Sequence, residues 1–153
     1  MSSKSDIKQN LHNACFQFIE NRLLTIQKSI NEIQESLTSE TKSSAGDKHE
    51  TGRAMLQLER EKSGNQLAEI MKVKEAFSKI DISKSLSTIG LGSLVFTNQS
   101  NYFIAISAGE ITVNKQQFFC VSPNTPIGKL VIGKQINDVV KFREQEFKIS
   151  AIF

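Results

Sequence analysis

Cysteine, histidine and proline are scarce in this 153-residue chain, with two of each, and tryptophan is absent. Cys15 and Cys120 stand far apart in the sequence and in apolar surroundings, so we expect two reduced, buried thiols. His12 and His49 are the only histidines, and no metal-ligand spacing is present. These absences argue against a zinc site and against a Cys–His nucleophile.

Long apolar runs are also missing. No stretch approaches the ~20 residues that span a bilayer, and no apolar signal segment follows the polar residues 1–6. We therefore expect a cytoplasmic protein without membrane contact. The formal net charge is only +3 and no dense basic run is present. Any contact with nucleic acid is expected to be local or made through a partner.

Residues 7–37 contain neither Gly nor Pro and carry apolar residues at the spacing of a coiled-coil seam. The seam consists of Ile19, Leu23, Ile26, Ile30, Ile33 and Leu37. A helix with one apolar stripe needs a partner. Residues 51–79 supply a second stripe, formed by Leu56, Leu67, Ile70 and Phe77. We predict an antiparallel helical hairpin over residues 1–84, with its turn near residues 40–50.

The apolar period changes after residue 84. Short β-rich runs follow, separated by turn residues: 93–97, 102–106, 118–121, 139–142 and 147–152. Residues 127–132 come directly after Pro126 and end at Gly133, a pattern typical of a short helix. We predict an antiparallel sheet with one helix packed on it over residues 85–153, and hence an α+β protein.

Two segments resemble motifs of the bacterial Gre-type transcript cleavage factors, and the similarity extends over both halves of the chain. The family's tip motif, Gly-Asp-x-x-Glu-Asn, is matched with Thr in place of Asn by Gly46-Asp47-Lys48-His49-Glu50-Thr51. The family's C-terminal pattern is matched by Thr125-Pro126-Ile127-Gly128-Lys129-Leu130-Val131-Ile132-Gly133-Lys134 and Asp138-Val139. The family's aromatic residue shortly after the tip motif is absent, and Arg53-Ala54-Met55 stand there instead.

The resemblance implies an FKBP-like C-terminal domain and a transcription elongation factor that enters the secondary channel of RNA polymerase. On this interpretation the chain is not an enzyme: it stimulates the polymerase's own cleavage of backtracked RNA. Asp47 and Glu50 are the implied catalytic pair and would hold Mg²⁺ jointly with the polymerase. The free protein is expected to bind no metal and to be a monomer. RNA 3′ ends and DNA would be reached only through the elongation complex.

The resemblance also implies contacts with the polymerase at two places. Asn124, Pro126 and Ile127 are the candidate docking residues, and Lys48 and Arg53 are candidate contacts at the tip. Each set has a simpler interpretation. The first can be a turn that starts a helix, and the second can be ordinary solvated charges.

Several alternatives remain open at this point. Asp47 and Glu50 match a capping box, which would stabilise the start of a helix with or without any chemistry. The chain can be a Gre-like secondary-channel regulator or inhibitor without cleavage activity. It can also be an FKBP-like isomerase or chaperone with a helical arm, since a fold does not determine an activity. A coiled-coil scaffold would leave the C-terminal pattern unexplained.

Overall fold

The computed structural model describes residues 3–42 and 46–153, and it describes their side chains except those of residues 40–42 and 46–49. This part of the chain forms three helices and six strands: α1 (Lys4–Lys42), α2 (Gly46–Ser78), β1 (Leu94–Thr97), β2 (Asn101–Ile104), β3 (Gly109–Val113), β4 (Gln116–Val121), α3 (Pro126–Val131), β5 (Val139–Phe142) and β6 (Gln145–Ile152). None of the described helices has the length and hydropathy needed to cross a membrane.

The two long helices pair antiparallel, as the seam predicts. Lys74 near the end of α2 lies 3.2 Å from the Glu20 carboxylate on α1, whereas Leu56 near the start of α2 lies across from Ile33 and Ser36. The side chains buried along the seam are Ile19, Leu23, Ile26, Leu37 and Ile70. Burial of these stripes against each other supplies the partner that each amphipathic helix requires, and the predicted hairpin is confirmed.

The seam is less completely buried in its middle. Ser63 is buried there, and Ile30 and Ile33 are only half-buried. A cleft of about 490 Å³ opens between the helices, and most of the residues that line it are polar: Ser29, Glu32, Ser36, Glu59, Lys62, Ser63 and Gln66. Because α2 offers mostly polar side chains at this level, Ile30 and Ile33 are less buried than Ile26 and Leu37 on either side of them. Apolar burial is therefore weakest in the middle of the seam.

Gly64 lies inside α2, next to the buried Ser63, and its replacement tests how stable this part of the hairpin is. A glycine in a helix interior costs about 1 kcal/mol relative to alanine. A Cβ at this position would meet the Arg60 Nη1 atom at 3.2 Å, and that flexible side chain can move away. Gly64→Ala should raise the melting temperature by about 2–4 °C in thermal circular dichroism. Gln57→Ala, at an exposed position of the same helix, should change it little. A lower melting temperature for Gly64→Ala would show that Arg60 cannot rearrange.

The six strands form one sheet in the order β3-β4-β2-β1-β6-β5. The prediction of an antiparallel sheet describes the β1–β2, β1–β6, β3–β4 and β5–β6 pairs, but β2 and β4 run parallel. Asn114 and Lys115 form the two-residue β3–β4 turn with φ of 51° and 67°, values that suit a tight hairpin. β4 lies between β3 and β2 in the sheet. It is antiparallel to β3, to which the turn joins it, and parallel to β2.

Helix α3 packs on this sheet and completes its core. Its Val131 is fully buried among side chains from the strands and from the segment before β1, namely Ile89, Val95, Ile104, Val140, Phe147 and Ile149. Pro126 occupies the first turn, where a missing N–H costs nothing. The predicted short helix is therefore present, one residue earlier than the pattern indicated.

The chain forms two compact units, Ile19–Glu75 and the combination of Met1–Phe18 with Ala76–Phe153. The unit that contains the sheet also includes the start of α1 and the end of α2. The His12 ring stacks on Phe77 with centroids 4.5 Å apart, and the buried Lys8 Nζ donates a hydrogen bond to the Lys84 carbonyl oxygen at 3.0 Å. The domain boundary between residues 84 and 85 remains a prediction from the sequence period.

Candidate functional sites at the hairpin turn and beside helix α3

The acidic motif lies at the start of α2. Helix α1 ends at Lys42 and α2 begins at Gly46, so positions 47 and 50 are one turn apart in the first turns of α2. Glu50 is exposed and Arg53 is half-buried. The side chains of Asp47 and Lys48 lie outside the described residues, so the catalytic pair and the tip contacts remain predictions. Acidic residues here also favour the positive end of the helix dipole.

The donor set at the turn has the chemistry that Mg²⁺ prefers, because carboxylate oxygens are hard ligands. Glu50 offers one such carboxylate to solvent. Among the residues whose side chains the structure describes, which leaves out Asp47 and His49, no group of three or more His, Cys, Asp or Glu side chains comes together as a metal site. Two carboxylates at the turn would need further ligands from a partner or from water.

The candidate docking residues lie together at the start of α3. The Thr125 hydroxyl accepts a hydrogen bond from the Gly128 N–H at 3.2 Å and donates one to the Ser122 carbonyl oxygen at 2.7 Å. This double contact caps the helix and fixes the preceding turn. Asn124 and Pro126 are consequently exposed, and Ile127 is half-buried.

Pro126 and Ile127 also line a groove of about 900 Å³ on the sheet unit. Aromatic and aliphatic side chains from three strands form most of the rest of its wall: Tyr102, Phe119, Val121 and Phe142. The rest of the lining is polar and consists of Ser100, Arg143, Glu144 and Gln145. The structure thus joins two of the predicted docking residues to an apolar surface that the sequence analysis did not assign.

Strand alternation explains the groove. Successive side chains on a strand point to opposite faces, so Tyr102 and Phe119 lie on one face of the sheet, and Phe103 and Phe118 lie on the other. Phe103 and Phe118 are fully buried, whereas Tyr102 and Phe119 are half-buried and line the groove. Tyr102 and Phe119 are paired in the parallel β2–β4 register, and their ring centroids are 6.1 Å apart. The signal for this groove in the sequence is a pair of consecutive aromatic residues in each of the two strands.

The groove is lined by one titratable hydroxyl, that of Tyr102, and by two side chains of opposite charge, Arg143 and Glu144. Burial raises the pKa of the Tyr102 hydroxyl above its ordinary value, and a hydrogen bond with Ser100 acts in the opposite direction, so this group stays protonated at neutral pH. The Arg143 guanidinium lies 5.0 Å from the Phe142 ring centre, within the range of a cation–π contact. Glu144 adds a negatively charged side chain to the same lining.

Comparisons with known proteins add little to this geometry. No protein-family model matches the chain, and no curated protein matches it. Among solved structures, one match bears the description "Structure of the transcription factor Gfh1", with 20% sequence identity and a TM-score of 0.35 over 92% of each chain. A TM-score this low carries no argument about function, so the functional conclusion has to come from the residues themselves.

Proposed function

We propose that this chain is a transcription elongation factor that inserts its hairpin into the secondary channel of RNA polymerase and stimulates cleavage of backtracked RNA. One observation carries the proposal: an exposed carboxylate, Glu50, lies at the closed end of a two-helix hairpin. It belongs to a segment that resembles the Gre-type tip motif. The groove that contains Pro126 and Ile127 supports a second contact with the same partner.

The hairpin has dimensions that suit delivery of a side chain into a narrow channel. Residues 19–42 are helical throughout and span about 36 Å. A pair of helices is only about 20–24 Å across. The described acidic side chain is therefore carried at the end of a narrow rod that a channel can admit.

The proposed role of the acidic residues is to complete a metal site that the polymerase holds. Asp47 and Glu50 would supply carboxylate oxygens to Mg²⁺. When bound, the ion activates water and stabilises the leaving oxygen of a phosphodiester. In this proposal the polymerase provides the remaining ligands, since two carboxylates fill only part of the coordination shell of Mg²⁺. This chain would position the two acids, because the first turns of α2 hold residues 47 and 50 at a fixed spacing.

The groove beside α3 is the proposed docking surface. An apolar side chain of the polymerase would enter between Ile127, Phe119 and Tyr102, with Arg143 and Glu144 at the rim. Well-packed apolar pockets surrounded by polar groups are where binding energy concentrates in protein interfaces. Such a contact would hold the factor on the polymerase while its hairpin occupies the channel.

Docking has a matched pair of test variants, one isoleucine in α3 and one at its C-cap. Ile127→Asp should weaken binding to RNA polymerase in a pull-down by about tenfold or more, because it places a charge in the groove. Ile132→Asp changes an isoleucine that is 38% exposed and lies outside the groove lining, and it should bind normally. Pro126→Ala should have a smaller effect in the same direction. Since Ile127 also packs on the core, melting temperatures are measured in parallel. Equal loss for both isoleucine variants in folded protein would rule out this groove.

The proposed activity is tested by adding purified protein to stalled, backtracked elongation complexes. Shortened RNA that retains its 5′ end is the expected result. Binding without shortening would overturn the cleavage proposal and favour a Gre-like regulator or inhibitor. Binding without shortening would fit one departure from the family pattern. Shortly after the tip motif, Arg53 and the exposed Met55 stand where the family has an aromatic residue.

An isomerase or chaperone is the second candidate, and the groove is the observation that favours it. Tyr102, Phe119 and Phe142 provide aromatic surface on which a proline ring can pack. A proline-containing peptide whose cis–trans exchange is followed by NMR distinguishes the two functions. Acceleration by catalytic amounts of this protein, lost in Phe119→Ser, would support the isomerase. No acceleration leaves the elongation factor as the favoured function.

A further inference from the structure

A polar cleft lies at the end of the sheet where strands β2 and β4 begin. The two strands run parallel, and Asn101 at the start of β2 pairs with Phe118 near the start of β4. The turn before β2 and the β3–β4 turn therefore come together at one end of the sheet. The cleft between them has a volume of about 350 Å³ and is lined by residues 99–101, 112, 115–117 and 119. We call it the amide cleft, and its volume is in the range of small-molecule sites, ~300–1,000 Å³.

The lining of the amide cleft offers three kinds of contact. Lys115 supplies one positive charge, and none of the lining residues, all of which the structure describes, is acidic. The ring of Phe119 is half-buried and lines the cleft as well. The largest group is formed by four carboxamides, each with donors and an acceptor: Gln99, Asn101, Gln116 and Gln117.

Hydrogen bonds hold the walls of the amide cleft in place. The Thr97 hydroxyl accepts a hydrogen bond from the Gln99 N–H at 3.0 Å and donates one to the Ser100 carbonyl oxygen. The Gln99 side chain donates a hydrogen bond to the Glu146 carbonyl oxygen at 3.1 Å. The opposite wall belongs to the β3–β4 hairpin, whose strands are paired up to the turn. The backbone of both walls is therefore fixed before any ligand binds.

The other three carboxamides are available to a ligand. Within the described part of the chain, no hydrogen bond engages the side chains of Asn101, Gln116 and Gln117. A carboxamide matches the edge of an unpaired nucleobase, and Asn or Gln makes a two-bond contact with adenine in particular. A lysine pairs with phosphate, and an aromatic ring stacks on a base. One nucleotide presents all of these groups.

We propose that the amide cleft binds a nucleotide unit of a single-stranded nucleic acid, with a preference for adenine. The free carboxamides contact the base edge, Lys115 pairs with the phosphate, and Phe119 offers its ring to the base. The lining favours this ligand through charge as well, because its one charged side chain is positive. This inference does not rest on the proposed function in transcription. Ser100 and Phe119 also line the groove beside α3, but the four carboxamides belong to the amide cleft alone.

The first test titrates the isotope-labelled full chain with a short oligoadenylate RNA and follows the side-chain amide signals by NMR. The signals of Asn101, Gln116 and Gln117 should shift and saturate, and they should shift less with oligouridylate. A duplex RNA should leave them unchanged, because its base edges are paired. Absence of shifts with oligoadenylate, or equal shifts with the duplex, would overturn the proposal. Oligodeoxyadenylate identifies the source: tighter binding of RNA assigns RNA, and equal binding assigns any single strand.

Two variants separate the base contact from the phosphate contact. Gln117→Val removes a carboxamide but keeps a residue that favours strands, and it should weaken oligoadenylate binding about tenfold at an unchanged salt dependence. Lys115→Gln should reduce the slope of log affinity against log salt concentration by about 0.7, the contribution of one phosphate in a single strand. Gln135→Val and Lys129→Gln, at exposed positions outside the cleft, are the controls and should bind normally.

The backbone NMR spectrum of each variant shows whether the sheet unit is still folded. In folded variants, two results would overturn the proposal. One is a loss of binding in Gln135→Val or Lys129→Gln that equals the loss in its partner variant. The other is a wild-type salt slope in Lys115→Gln, because that lysine would then contact no phosphate.

Discussion

Asp47→Asn combined with Glu50→Gln should abolish RNA cleavage by backtracked complexes while the protein stays folded and bound to the polymerase. Both changes keep side-chain size and remove the negative oxygens that a metal ligand needs. Even the loss of groups that only support metal ligands costs about 10–100-fold, so cleavage should fall by at least that factor. The readout is the rate of RNA shortening at saturating factor.

The control for this variant lies on the same helix. Glu61→Gln removes an exposed carboxylate of α2 away from the turn, and it should cleave like the wild type. Asn caps helices about as well as Asp, so Asp47→Asn should change the melting temperature by no more than about 2 °C. Full cleavage by the double variant would refute the metal-ligand role and leave helix capping. If the two acids only cap the helix, Asp47→Ala should lower the stability of the protein, whereas Asp47→Asn should not.

Gly128→Ala should disrupt α3 and, with it, binding to the polymerase. A Cβ on Gly128 would lie 2.2 Å from the Ser122 carbonyl oxygen and 3.0 Å from the Pro123 Cα. Both are backbone atoms, so a side-chain movement cannot relieve the clash. Overpacking of this kind costs about 1–3 kcal/mol. Thermal unfolding should show a melting temperature lower by about 3–10 °C, and the pull-down should show weaker binding.

Gly90→Ala is the matched control for Gly128→Ala. Its Cβ would meet the flexible Leu86 Cδ1 atom at 3.4 Å, an ordinary contact. It should therefore bind the polymerase normally, with a melting temperature close to that of the wild type. Normal polymerase binding by Gly128→Ala would mean that the start of α3 does not form the docking surface, whatever the stability change.

The groove shows how much of a site can be predicted from local patterns. Pro126 and Ile127 are assigned from a motif, and the structure places both in the groove wall. Tyr102 and Phe119 are brought beside them by the parallel pairing of β2 with β4. That pairing depends on where the β3–β4 hairpin settles in the sheet. A run of β-forming residues does not specify its neighbours, so the assembled groove could not be predicted.

The sequence by itself determined the elements whose signals are local. The four-three spacing from Ile19 to Leu37 specifies a helix with a stripe, and the scarcity of Gly and Pro lets it run uninterrupted. The proline before residues 127–132 marks the start of α3 in the same way. Such patterns involve residues only one or two helical turns apart, so they can be recognised in a single sequence.

Only the tertiary structure decided which distant residues meet. The parallel β2–β4 pair, and the groove that these strands form with the start of α3, join segments that are separated in the chain. Their formation depends on burying the apolar faces of the sheet, α3 and the ends of the long helices together. Hydrophobic burial is non-directional, so it is shape and packing, rather than any residue pattern, that choose among the possible partners.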